Sequence, residues 1–182
     1  SKGHVTDIVK HPRVPDRDLY VFDTRTAKLI QVIDTLGTLL YGRAVDSKGR
    51  VFIAQADARN DVNGRAGTKK HGLSELGNRA FLNQITSVKF DGRAYAKPEF
   101  INLEPLPPEH PEPGKALATP FAIQVSNDDP PLVASAAGSA KVFTVDNNTG
   151  NVLGPSQFGS APRGIAPKSS WLPTTRTGAG DR

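Results

Sequence analysis

Two stretches far apart in the chain carry the same local device. Val21-Phe22-Asp23-Thr24-Arg25-Thr26-Ala27-Lys28-Leu29 and Thr144-Val145-Asp146-Asn147-Asn148-Thr149-Gly150-Asn151-Val152 each run from a β-prone segment into an aspartate, a polar turn with threonine at the same place, and a second β-prone segment. Asp favours such a reversal because its carboxylate accepts hydrogen bonds from main-chain N–H groups just ahead of it. A glycine-led strand then opens 19 residues after Asp23, at Gly42, and 18 residues after Asp146, at Gly164. A distorted middle copy is present as Val88-Lys89-Phe90-Asp91-Gly92, with its following strand beginning near Phe121. A chain that repeats one supersecondary unit buries its apolar faces by stacking the copies on one another.

The remaining pattern is of short strands. β-prone runs at 19–24, 28–34, 43–46, 50–55, 84–90, 100–103, 120–125, 132–135, 141–146, 151–153 and 163–166 are separated by turn formers. Gly 17 and Pro 15 make up 32 of 182 residues, above the usual share of about 12%. The expected class is therefore all-β. Two segments interrupt it. Residues 57–83 are punctuated by Gly64, Gly67, Gly72 and Gly77, with one short helical turn expected at Ser74-Glu75-Leu76. Residues 104–115 hold Pro105, Pro107, Pro108, Pro111 and Pro113, which cannot form a central strand because proline donates no ladder hydrogen bond.

Leu19 to Asp23, Lys141 to Asp146 and Gly159-Ser160-Ala161-Pro162-Arg163-Gly164-Ile165-Ala166 resemble the YVTN-type repeat of YncE-like and other secreted bacterial β-propellers. The resemblance covers most of residues 19–166 and leaves 57–83 and 104–115 without counterparts. It implies a β-propeller fragment of about 2–3 four-stranded blades with long inter-strand insertions. Residues 1–41 would be a partial blade of outer strands, 42–119 a blade carrying both insertions, and 120–160 another blade. Residues 161–182 would start the next blade and continue as a flexible tail. A propeller closes with about 4–8 blades, so the ring is expected to be completed by missing sequence or by other protein chains. The absence of Met and of an apolar leader at Ser1-Lys2-Gly3-His4 agrees with a processed, truncated or partial chain.

With no Cys, the chain has no disulfide, thiolate metal site or cysteine nucleophile. No apolar run is long enough to span a membrane. The net charge of +5 is spread along the chain rather than gathered with aromatics, which argues against a nucleic-acid surface. The densest basic group is Arg59, Arg65, Lys69, Lys70, His71 and Arg79, a candidate patch for an acidic partner such as an anionic glycan. Asp57, Asp61 and Asn63 ahead of Gly64 are candidate Ca²⁺ ligands. The same residue types also serve as turn formers, and Arg59 stands where an EF-hand loop would need its first Asp. The four histidines have no metal-ligand spacing, and Ser135, Ser139 and Ser160 lack the context of a serine nucleophile. The expected function is a non-catalytic secreted or periplasmic binding or scaffold module. The alternative is part of a propeller enzyme, or of a propeller joined to a cytochrome-like redox domain, with its catalytic residues largely outside this chain.

Overall fold

The computed structural model describes residues 16–59, 62, 69, 71–126, 131–157 and 159–165. Ten strands fall in chain order: β1 (Leu19–Phe22), β2 (Leu29–Ile33), β3 (Leu39–Val45), β4 (Val51–Ala58), β5 (Phe81–Val88), β6 (Glu99–Asn102), β7 (Pro120–Val125), β8 (Leu132–Ala136), β9 (Lys141–Val145) and β10 (Val152–Gln157). Two 3-10 turns, Gly72–Leu76 and Ala137–Ser139, accompany them. The strands form three antiparallel sheets: the pair β1-β2, the meander β3-β4-β5-β6 and the meander β7-β8-β9-β10. The fold is all-β, as the turn-rich composition predicts.

Local chemistry sets the reversals. Asp23 Oδ1 accepts from the N–H groups of Arg25 (2.9 Å) and Thr26 (2.7 Å). Asp91 Oδ1 accepts from Arg93 and Ala94, both at 2.8 Å. Asp146 Oδ1 accepts from Asn148 (2.9 Å) and Thr149 (2.8 Å). The same geometry thus joins β1 to β2, precedes β6 and joins β9 to β10. These donors hold all three carboxyls below the ordinary Asp range.

The middle sheet is covered on both faces, which explains why Val51 to Ala56 are all buried although alternate residues of a strand point in opposite directions. Phe52, Ala54 and Ile85 pack with Ile123, Leu132, Ala134, Phe143 and Val145 of the third sheet. Val51, Ile53 and Val88 pack with Ile33 and Leu36, and against Leu19 and Val21 of β1. Truncating Phe52, which has no exposed surface, would cost about 3–5 kcal/mol. The third sheet approaches so closely that a Cβ on Gly42 in β3 would lie 2.5 Å from the carbonyl oxygen of Phe121 in β7. Glycine is required there by the neighbouring backbone.

Polar side chains tie the sheets together. The Gln31 amide donates to the Tyr95 carbonyl (3.0 Å) and accepts from the Tyr95 N–H (2.9 Å), linking β2 to the loop before β6. Arg50 donates to the Asn147 carbonyl (2.9 Å) in the β9–β10 turn. Its guanidinium also pairs with Asp46 (3.0 Å) and lies 4.7 Å over the Phe52 ring.

Several expected boundaries change. β3 opens at Leu39, through the pairs Leu39↔Ala56 and Leu40↔Gln55, so Gly42 lies inside the strand rather than leading it, and β10 runs on to Gln157. Residues 57 and 58 belong to β4, and 81–83 to β5, through the pairs Asp57↔Leu82 and Ala58↔Phe81. The ladder is made by main-chain groups, so a polar Asp57 does not end it, and the loop spans 59–80. The strand expected at 163–166 joins no ladder among the described residues, where 159–165 are irregular. A strand needs a neighbour to bond, and no described segment pairs with this one. Residues 1–15 and 166–182 lie outside the described residues.

Candidate functional site

The 59–80 loop and the proline-rich loop after β6 meet beside the end of the middle sheet. Arg79 joins them. Its side chain is buried, and Nη1 donates to the carbonyls of Pro105 (2.6 Å) and Glu109 (2.7 Å). Nη2 pairs with Glu104 Oε2 at 3.2 Å. Glu104 also accepts from Asn83 Nδ2 (3.1 Å) and from the Leu117 N–H (2.8 Å). Asn83 Oδ1 in turn accepts from the Thr119 N–H (3.1 Å). At the other end of the proline-rich loop, the buried Lys141 donates to the carbonyls of Gly114 and Ala116. Two buried cations therefore clamp this loop through charge-assisted bonds. A charge left behind in such a site costs about 3–5 kcal/mol.

This arrangement divides the expected basic patch. Arg59 faces inward, donating to the Arg79 carbonyl (2.8 Å) and closing the neck of the 59–80 loop. Arg79 is a structural clamp, its guanidinium bonded to Pro105, Glu109 and Glu104. Lys69 and His71 are exposed, and their N–H groups donate to Glu75 Oε1 at 2.8 and 2.9 Å. The expected helical turn is the 3-10 segment Gly72–Leu76, closed by Gly77 at φ +61°. Arg65 and Lys70 lie outside the described residues.

Of the candidate Ca²⁺ ligands, Asp57 lies in β4 and accepts from the Thr38 hydroxyl at 2.8 Å; Asp61 and Asn63 lie outside the described residues. Among the described residues, no group of three or more His, Cys, Asp or Glu side chains is placed to hold a metal ion. Asp57 shares a cavity with Asp16 and Asp18. Asp16 accepts from the Thr35 N–H (3.0 Å) and Asp18 from the Leu36 N–H (2.8 Å). Burial, with the nearby carboxylates of Asp16 and Asp34, pushes the Asp18 carboxyl up. The serines are also structural: Ser135 Oγ accepts from the Ala122 N–H (3.0 Å) and Ser139 Oγ from the Ala118 N–H (2.9 Å).

A cavity of about 560 Å³ opens between the two loops and β3, within the range of small-ligand sites. Tyr41, Asn78, Phe81, His110 and Thr119 line it, with the Arg79–Glu104 pair in its wall. Tyr41 packs against Phe121 with ring centroids 5.2 Å apart. This cavity escaped the sequence reading because its walls come from β3, β5 and two loops with no shared motif. No helix among the described residues is long and apolar enough to cross a membrane. No protein-family model matches the chain, and no curated protein matches it.

Proposed function

We propose that the chain is part of a β-propeller, of the YVTN-repeat kind its turns resemble, working as a non-catalytic binding or scaffold module in the periplasm or outside the cell. The observation that carries this reading is the stacking of two successive four-stranded meanders through their first strands, β3 against β7, at the close approach of Gly42. Adjacent propeller blades meet in this way along their inner strands. The recurrence of the Asp turn at Asp23, Asp91 and Asp146 supports it, because it makes β1-β2 the counterpart of the outer half of each meander. On that reading β1-β2 lacks its inner strands. The outward face of this pair carries Tyr20, Phe22, Ile30 and Val32, all exposed, which suits coverage by the remainder of the ring or by another chain.

The clamped proline-rich loop and the segment 71–80 beside it are the natural binding surface, since loops on a rigid scaffold commonly carry recognition. The test takes the complete natural polypeptide. Small-angle scattering should give a closed toroidal particle, and pull-down and glycan arrays should retain a protein or glycan ligand. An open-ended, soluble monomer would overturn the propeller reading. Turnover of a substrate would overturn the non-catalytic one.

A further inference from the structure

The geometry points to a binding site for a neutral saccharide unit in the cavity of about 560 Å³ between the clamped proline-rich loop and residues 73–80. This deepens the reading of the chain as a loop-borne binding module, and does not depend on ring closure.

Charge comes first. The ionised groups in the wall, Arg79 and Glu104, are paired with each other at 3.2 Å, and their remaining contacts go to Asn83 and main-chain groups. They offer no unbalanced charge to an anion or a cation. The other polar side chains in the lining include the Tyr41 hydroxyl, the Asn78 amide and the His110 imidazole. A phenol, an amide and an imidazole combine donors and acceptors, as vicinal hydroxyls require.

The apolar surface fits the same class. Leu39, Leu73 and Phe81 are 42%, 53% and 43% exposed, and all three line this cavity. An exposed aromatic ring beside aliphatic side chains offers a flat apolar patch for the C–H face of a pyranose, while the hydroxyl edge meets the polar groups. Asn78 and Thr119, on opposite loops, have φ of +57° and +53°. For the β-branched Thr119 this conformation is costly.

The experiment uses the folded chain, with saturation-transfer NMR and calorimetry. The probes are methyl glycosides of glucose, galactose and N-acetylglucosamine, their β-linked disaccharides, methyl glucuronide, and an apolar tetrapeptide. At least one neutral glycoside is expected to bind. Asn78→Gly preserves the left-handed backbone and removes the amide; Tyr41→Phe removes only the hydroxyl. Each should weaken binding by roughly three- to tenfold, the range for losing one hydrogen bond, with the melting temperature unchanged. Glucuronide binding more tightly than the neutral sugars would overturn the proposal. So would peptide binding without saccharide binding, sugar affinity indifferent to both substitutions, or no binding by any probe. A partner captured by the same variants in pull-down would then leave the binding-module reading standing without this site.

Discussion

Gly42→Ala tests how the middle and third sheets meet. The added Cβ would lie 2.5 Å from the Phe121 carbonyl oxygen, 3.1 Å from the Ala122 Cα and 3.1 Å from the Ile123 nitrogen. All three are main-chain atoms of β7, so no side-chain rotation relieves the contact and the sheets must part locally. Overpacking of this kind costs about 1–3 kcal/mol, and a clash with backbone belongs in the upper half of that range. For a domain of this size, each kcal/mol lowers the melting temperature by about 2–4 °C. The expected fall is therefore roughly 5–10 °C, with faster hydrogen exchange at the amides of 121–123. Gly159→Ala is the control, since nothing stands within 4 Å of its added Cβ. If Gly42→Ala melted with the control, β3 and β7 would not be packed as described, and the stacking behind the propeller reading would fail.

Three further expectations follow from the buried and titrating groups. Arg79→Met should lower stability by about 3–5 kcal/mol by stranding the Glu104 carboxylate, and should expose 105–109 to limited proteolysis; adding Glu104→Gln should recover part of the urea midpoint. Asp146→Asn keeps an acceptor but loses the charge whose pKa is depressed in the fold. The stabilisation from a depressed carboxyl is present above its unfolded value of about 3.9 and lost as pH falls through the folded value. The wild type should therefore exceed Asp146→Asn in urea midpoint at pH 6, with the gap closing below about pH 4. Asp18 has the opposite sign, because its pKa is raised: its ionisation weakens the fold as pH rises above the unfolded value. Asp18→Asn, which retains an acceptor for the Leu36 N–H, should match or exceed the wild type at pH 7 and lose any advantage near pH 3; a fixed deficit at both would refute this account.

Local interactions were legible in the sequence and distant ones were not. The Asp23 and Asp146 turns can be read because carboxylate and donors lie within three residues of one another. The strands show as short apolar runs. The ends of β4 and β5 are hidden because Asp57 looks like a loop residue, while its pairing with Leu82 depends on main-chain atoms. Arg79 looked like one of six surface cations. Its carbonyl partners, Pro105 and Glu109, lie 26 and 30 residues away, and no spacing rule connects a guanidinium to a distant carbonyl. Lys141 looked like an ordinary start of a strand for the same reason.

The clamp on the proline-rich loop has a further consequence. Arg79 and Lys141 grip it at Pro105, Glu109, Gly114 and Ala116, in each case by a main-chain oxygen. Every amino acid supplies that oxygen, so apart from the Glu104 carboxylate beside Arg79 the anchorage does not read the side chains it holds. Drift or deliberate randomisation at Glu109, His110 and Glu112 could change what the surface recognises while the attachment points persist. The fold thereby makes the loop's position largely independent of the side chains the loop displays.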